Sequence, residues 1–204
     1  MKKSKMLALG LAVALVMTAG VPVVPAEATS TVSSVKKSGL QKVKGKYYYY
    51  KKGKKIKNTW KTIKKARYYF GRNGAAYTGV KKIKGKYYYF SNTGKLQKKK
   101  WVKNKTYYAG SNGVLYTGLK KVGSKLYYFN ANGKKNKTRS LAIQRACQYG
   151  KDFEALKALI GEPKKSTYTY SCMGAGDDGI LTYSGFTVYT YRDTDGSEIV
   201  TGIS

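Results

Sequence analysis

The 204-residue sequence predicts a mainly β protein: a β-hairpin solenoid of about five 20-residue repeats, followed by a small α+β domain. Three observations carry this prediction. The stretch Gly79–Phe90 recurs at Gly39–Tyr50 and at Gly118–Phe129, with shorter relatives running from Trp60 to Phe70 and from Trp101 to Tyr108. A fixed short period signals stacked units that cannot bury their apolar faces alone. Each unit also holds a run of two to four aromatics, such as Tyr87-Tyr88-Tyr89-Phe90, which suits a strand whose alternate rings leave opposite faces. Finally, charge divides the chain sharply. Residues 29–139 hold 32 Lys or Arg and no Asp or Glu, whereas residues 140–204 hold 6 basic and 8 acidic side chains.

In chain order, Lys2, Lys3 and Lys5 precede an apolar run from Met6 to Met17, then Pro22, Pro25 and Ala26-Glu27-Ala28. This reads as a secretory signal peptide over residues 1–28, cut after Ala28. A retained membrane anchor is the alternative, but the run is short for a span and Gly20 and the prolines interrupt its end. The mature chain is expected to be secreted and associated with the cell wall, without a transmembrane segment. Residues 29–38 form a polar linker.

The repeats occupy residues 39–138. Each opens with one large apolar residue (Leu40, Trp60, Val80, Trp101, Leu119), continues through a basic stretch into the aromatic strand, and meets a turn signal. Those signals are Lys52-Gly53, Asn73-Gly74, Thr93-Gly94, Asn112-Gly113 and Asn132-Gly133, read as the hairpin reversals because both residues accept positive φ. A hairpin alone is too small to bury its rings, and stacked hairpins are not. Most rings are therefore expected in the core.

The α+β domain covers residues 139–204. Helices are expected over 140–149 and 152–160, the second stopped by Gly161 and Pro163. Strands are expected over 166–171, 180–183, 186–192 and 197–203, with Asp193-Thr194-Asp195-Gly196 as a hairpin turn. Asp177-Asp178-Gly179 offers paired carboxylates, but its flanking glycines point to a turn. Asp193, Asp195 and Glu198 lack the full spacing of a calcium loop. The chain has no His, which removes imidazole catalysis and His-based metal sites. Cys147 and Cys172, an even pair in an exported chain, are expected to form one disulfide; two thiols are too few for zinc. No catalytic residue, metal or cofactor is expected.

The repeat pattern of an apolar or aromatic residue after Gly, a Tyr-Tyr-Phe strand and a Thr-Gly exit (Tyr77-Thr78-Gly79, Tyr116-Thr117-Gly118) resembles the cell-wall-binding repeats. These include the choline-binding and glucan-binding repeats of Gram-positive surface proteins and phage lysins. The resemblance covers about residues 38–138. It implies ligand cages built from a Trp at the repeat start, a Trp opening the next strand and an aromatic of the following repeat, with cation–π attraction holding a quaternary ammonium. Here only Trp60 and Trp101 take the first role. The second falls to Tyr47, Arg67, Tyr87, Thr106 and Leu126, so three of five cages lose a wall. Ligand contact is expected at Trp60, Tyr69, Tyr77, Tyr89, Trp101, Tyr108, Tyr116 and Tyr128. A formal charge of +32 opposes a cationic ligand and favours a teichoic-acid-like polymer or a stacked glycan.

Two helices followed by an antiparallel sheet resemble the helix–helix–sheet unit of β-lactamase inhibitor proteins and small outer-membrane-assembly lipoproteins, which implies a protein partner for residues 139–204. The expected function is non-enzymatic, non-covalent binding of a cell-wall polymer through the repeats. The alternative is a wall hydrolase with a minimal C-terminal catalytic unit. Lys interleaved with Tyr also suits single-stranded nucleic acid, but secretion counts against that partner.

Overall fold

The computed structural model describes residues 37–172 and 174–204; the signal-peptide reading and most of the linker lie outside the described residues. Five hairpins follow one another. They are β1 (Gly39–Val43) with β2 (Lys46–Lys51), β4 (Thr59–Ile63) with β5 (Ala66–Phe70), β6 (Gly79–Ile83) with β7 (Lys86–Phe90), β8 (Lys100–Val102) with β9 (Tyr107–Ala109), and β10 (Gly118–Val122) with β11 (Lys125–Phe129). β3 (Lys54–Lys55) adds a short third strand to the first hairpin only. The fold is thus mainly β, built of repeated small hairpin sheets.

The reversal within each hairpin is not at the Asn-Gly pairs. It falls earlier, at Lys44-Gly45 (φ 46° and 76°), Lys64-Lys65 (44° and 65°) and Lys84-Gly85 (45° and 79°), the two-residue loops between paired Val43/Lys46, Ile63/Ala66 and Ile83/Lys86. Positive φ at both positions matches the right-handed twist of the strands, and lysine adopts it here against its usual preference. The Asn-Gly pairs instead turn the chain after each aromatic strand. There only the glycine has positive φ (77° at Gly74, 84° at Gly113, 81° at Gly133). Asn73, Asn112 and Asn132 serve through their side chains, whose Oδ1 accepts the N–H of Ala75, Val114 and Lys134.

After that turn the chain runs back along the preceding hairpin. The N–H groups of Ala76, Leu96, Leu115 and Lys135 donate to the carbonyls of Tyr47, Arg67, Tyr87 and Thr106 at 2.7–2.8 Å. One backbone hydrogen bond therefore ties every repeat to its predecessor at the same place. Each hairpin has two working faces as a result. Tyr68 and Phe70 leave one face of β5, stacked at 6.1 Å and buried, while Tyr69 leaves the other beside Trp60. The buried ladder continues through Phe90, Ala109 and Phe129, all with no exposed surface.

The helix α1 spans Lys137–Ala146, starting three residues before the expected Ser140 because the Asn136 side chain accepts the Arg139 N–H and caps it. Ser140 is instead buried against the last repeat. Its Oγ accepts the Tyr128 N–H at 3.0 Å and donates to the Asn136 carbonyl at 2.6 Å. α2 (Phe153–Ile160) is capped by Asp152 and ended by Gly161. The sheet β12 (Lys165–Tyr170), β13 (Asp177–Tyr183), β14 (Phe186–Arg192) and β15 (Glu198–Ile203) is antiparallel in sequential order. Asp193–Gly196 closes β14 and β15 as expected, Gly196 N–H donating to the Asp193 carbonyl. Ile143, Phe153, Leu156, Leu181, Tyr183, Phe186, Val188 and Val200 form the core, and Leu126 of the fifth hairpin belongs to it. The last repeat and the α+β unit therefore share one apolar cluster.

Two further sequence expectations fail. Asp177 and Asp178 are not a turn; they pair with Arg192 and Tyr191 within β13, so their side chains leave opposite faces and make no carboxylate pair. Cys147 and Cys172 are free thiols. Cys147 lines a hollow with Ile203, whose register runs through Val188 and Leu181 to Ser166. Cys172 follows the other end of β12. Cys147 ends α1 and packs against the core, whereas Cys172 is exposed.

Candidate functional site

The repeats alternate in kind, and the alternation makes two aromatic clusters rather than five. The second and fourth repeats carry Trp60, Tyr69 and Tyr77, and Trp101, Tyr108 and Tyr116; the third and fifth carry Val80, Tyr89 and Gln97, and Leu119, Tyr128 and Asn136 at the same places. In the first cluster Trp60 lies edge-on to Tyr69 and to Tyr88, each at 5.2 Å, and tilted over Phe90 at 5.8 Å. Tyr77 closes it, 5.0 Å from Tyr69 and 6.2 Å from Phe90. The second cluster repeats this. Trp101 meets Tyr108 at 5.3 Å, Tyr127 at 4.9 Å and Phe129 at 5.9 Å, and Tyr116 meets Tyr108 at 5.0 Å and Phe129 at 6.1 Å. Edge-to-face packing of this kind joins the positive rim of one ring to the negative face of the next.

Each element is placed for a local reason. Trp60 and Tyr69 are directly paired across β4 and β5, as Trp101 and Tyr108 are across β8 and β9. Tyr77 and Tyr116 fold back because their N–H groups donate to the Tyr69 and Tyr108 carbonyls. Their rings cross Gly71 and Gly110, where an added Cβ would come within 2.4 Å and 2.8 Å of Tyr77 and Tyr116 ring carbons. The odd repeats have Ser91 and Asn130 at that place. Phe90 and Phe129 are fully buried floors, while Trp60, Tyr69, Tyr77, Tyr88 and their counterparts are half-buried.

Six of the eight residues expected from sequence come together in this way: Trp60, Tyr69 and Tyr77, and Trp101, Tyr108 and Tyr116. Tyr89 and Tyr128 do not join them. Tyr89 packs on Val102, Ala109 and Leu115, and Tyr128 faces α1 beneath the Arg139 guanidinium, 3.9 Å away. Sequence reasoning missed Tyr88 and Tyr127, one position earlier on the opposite face of the strand. Strand parity would have found them, since the face that meets the preceding Trp is that of Phe90 and Phe129.

Basic groups crowd these rings. Arg67 lies over Trp60, Lys81 near Tyr77, Lys61 near Tyr49, and Lys135 over Trp101 and Tyr127. Beside Tyr77 a hollow of about 390 Å³ is lined by Lys46, Tyr47, Asn73 and Lys81. Among the described residues the ion pairs, Lys157–Glu154 and Arg192–Glu198, are both in the α+β unit. Burial, and then the neighbouring Tyr47, raises the Tyr68 hydroxyl above its usual pKa. Among the described residues no group of three or more His, Cys, Asp or Glu could hold a metal ion, and no helix is long and apolar enough to cross a membrane.

Comparison with known proteins finds four repeat matches in this region. Residues 58–76, 81–96, 100–115 and 117–135 match the model of the cell wall binding repeat family, and the structure adds the β1–β2 hairpin before them. No curated protein matches the chain. Among solved structures, choline binding protein F from Streptococcus pneumoniae, determined with a peptidoglycan analogue, is 22% identical over 79% of this chain and 41% of its own, with a TM-score of 0.43. CbpJ from Streptococcus pneumoniae TIGR4 is 19% identical over 79% and 42%, with a TM-score of 0.44. The modular autolysin LytC of the same species is 24% identical over 49% and 28%, with a TM-score of 0.38. The chain thus spans about two fifths or less of the length of these structures. Within residues 58–135, the four matched segments, with their 20-residue spacing, Thr-Gly exits and paired aromatics, are similar to cell wall binding repeats.

Proposed function

We propose that the protein is a secreted, non-enzymatic surface protein that binds an anionic cell-wall polymer of the teichoic-acid type through its repeats. One observation carries this reading: two ordered aromatic clusters are set among repeats with 29 basic and no acidic side chains over residues 39–138. Such a surface attracts polyanions and concentrates them at the rings. The α+β unit, with its mixed charge and lack of a paired carboxylate at Asp177 and Asp178, is read as a protein-interaction domain. The test is a pull-down of the full chain on purified cell walls, intact and stripped of anionic polymer, across a salt series. Retention on intact walls should fall as salt rises, because polyanion binding releases counterions. Equal retention on stripped walls at high salt would return the glycan-stacking reading.

A further inference from the structure

Both tryptophans are already covered by a cation of the chain's own. The Arg67 guanidinium carbon lies 4.5 Å from the Trp60 ring centre, and Lys135 Nζ lies 5.0 Å from Trp101 and 5.8 Å from Tyr127. The two cations arrive by different routes. In the first cluster the neighbouring pair joined by the inter-repeat hydrogen bond is Arg67 and Leu96; in the second it is Thr106 and Lys135. Each cluster holds one cation and one uncharged residue, in opposite order. At the interfaces without a tryptophan the same pair is Tyr47 with Ala76 and Tyr87 with Leu115; the pair itself supplies no cation, and Lys42 and Lys82 from the facing strands lie 5.8 Å and 5.6 Å over the Tyr47 and Tyr87 rings. Lysines also lie over tyrosine rings elsewhere in the repeats, but only at the two tryptophan interfaces does the residue joined by the inter-repeat bond itself supply the cation.

A cation on the ring face takes the attraction that the face offers, and it repels a second cation at contact distance. Among the described residues neither Arg67 nor Lys135 takes part in an ion pair. The ring face holds the charged group in place while leaving its N–H donors able to meet an anion. We propose that the Trp60–Arg67 and Trp101–Lys135 clusters are two discrete phosphodiester sites that exclude quaternary ammonium ligands. This rests on the polyanion reading above and assigns it to two places.

The experiment uses the full chain, with poly(glycerol phosphate) oligomers and choline as probes and isotherms read by tryptophan fluorescence. The variant Arg67→Gln/Lys135→Gln is compared with wild type and with Lys54→Gln/Lys98→Gln, which removes the same charge at exposed positions. Near-ultraviolet circular dichroism checks that each variant keeps its packing. The cluster variant should bind the oligomer about tenfold more weakly, the control less than about threefold more weakly. Only the cluster variant should acquire a choline-dependent fluorescence change. Equal weakening by the two variants overturns the assignment while leaving diffuse polyanion binding intact. A choline response in wild type, or tighter binding of oligothymidylate of matched charge, also overturns it. Failure of wild type to bind the oligomer sinks both readings.

Discussion

Replacing Phe90 by Ala tests whether the aromatic clusters are packed cores or loose surface rings. Phe90 has no exposed surface and lies 5.8 Å from Trp60 and 6.2 Å from Tyr77. Removing its ring forfeits about 1.5–3 kcal/mol of burial. The surrounding rings are held by cross-strand pairing and by the Tyr77 N–H bond to the Tyr69 carbonyl, so they close the gap only in part. The total expected loss is about 3–5 kcal/mol. With a guanidinium m-value of ~4 kcal/mol/M, the midpoint should fall by about 1 M. The chain has two tryptophans, one in each cluster, so a Trp101→Phe background isolates the emission of Trp60. That emission should shift to the red in Phe90→Ala even before unfolding, because water reaches the indole. A loss below ~1 kcal/mol with unchanged emission would show that Phe90 does not support Trp60, and the packing argument would fail.

Three further outcomes follow from particular contacts. Ser140→Ala leaves the buried Tyr128 N–H without its acceptor and should cost about 1–3 kcal/mol in denaturant unfolding, with no direct change at either tryptophan. The Tyr183 hydroxyl is pushed up to about 12 by burial and then by Glu162, against about 10 when unfolded. Its folded form keeps the proton longer, so this contribution is whole below pH ~10 and is lost as pH rises from there through about 12; Tyr183→Phe should flatten that part of the stability profile relative to wild type. Burial pushes the Cys147 thiol up to about 11, whereas Cys172 is exposed. A thiol reagent at neutral pH should modify one cysteine per native chain quickly and both in denaturant; no modification under either condition would mean a disulfide after all.

Much of the architecture was legible because the repeat period and the aromatic runs are local signals. The β14 strand, Phe186–Arg192, matches its alternation residue for residue, since its inner face is buried and its outer face is not. Lys52-Gly53 does reverse the chain between paired Lys51 and Lys54, but the reversals expected at the Asn-Gly pairs were misplaced, because Asn-Gly is a strong motif while Lys64-Lys65 carries no turn signature; its positive φ is imposed by the pairing of Ile63 with Ala66. The site was half-legible for a related reason. Trp60 and Trp101 announce themselves, but which tyrosine meets them depends on which strand face the preceding repeat covers. That is set by the backbone bonds between repeats, and sequence distance alone does not show it. The disulfide failed because cysteine parity says nothing of where each thiol sits, Cys147 at the end of α1 and Cys172 in the loop after β12.

The inter-repeat bond recurs at every repeat, yet an aromatic cluster recurs only at every second one. The unit of assembly and the unit of recognition therefore differ by a factor of two. Backbone continuity tolerates gain or loss of a single 20-residue turn, but such an event would set Trp against Trp or aliphatic against aliphatic and dismantle a cluster. Excision of residues 60–100 would instead join Thr59 to Trp101 in register and leave a complete cluster behind. A lineage of such chains can grow or shrink without losing its sites only in steps of two repeats, so the number of recognition points is counted by gene duplication in pairs.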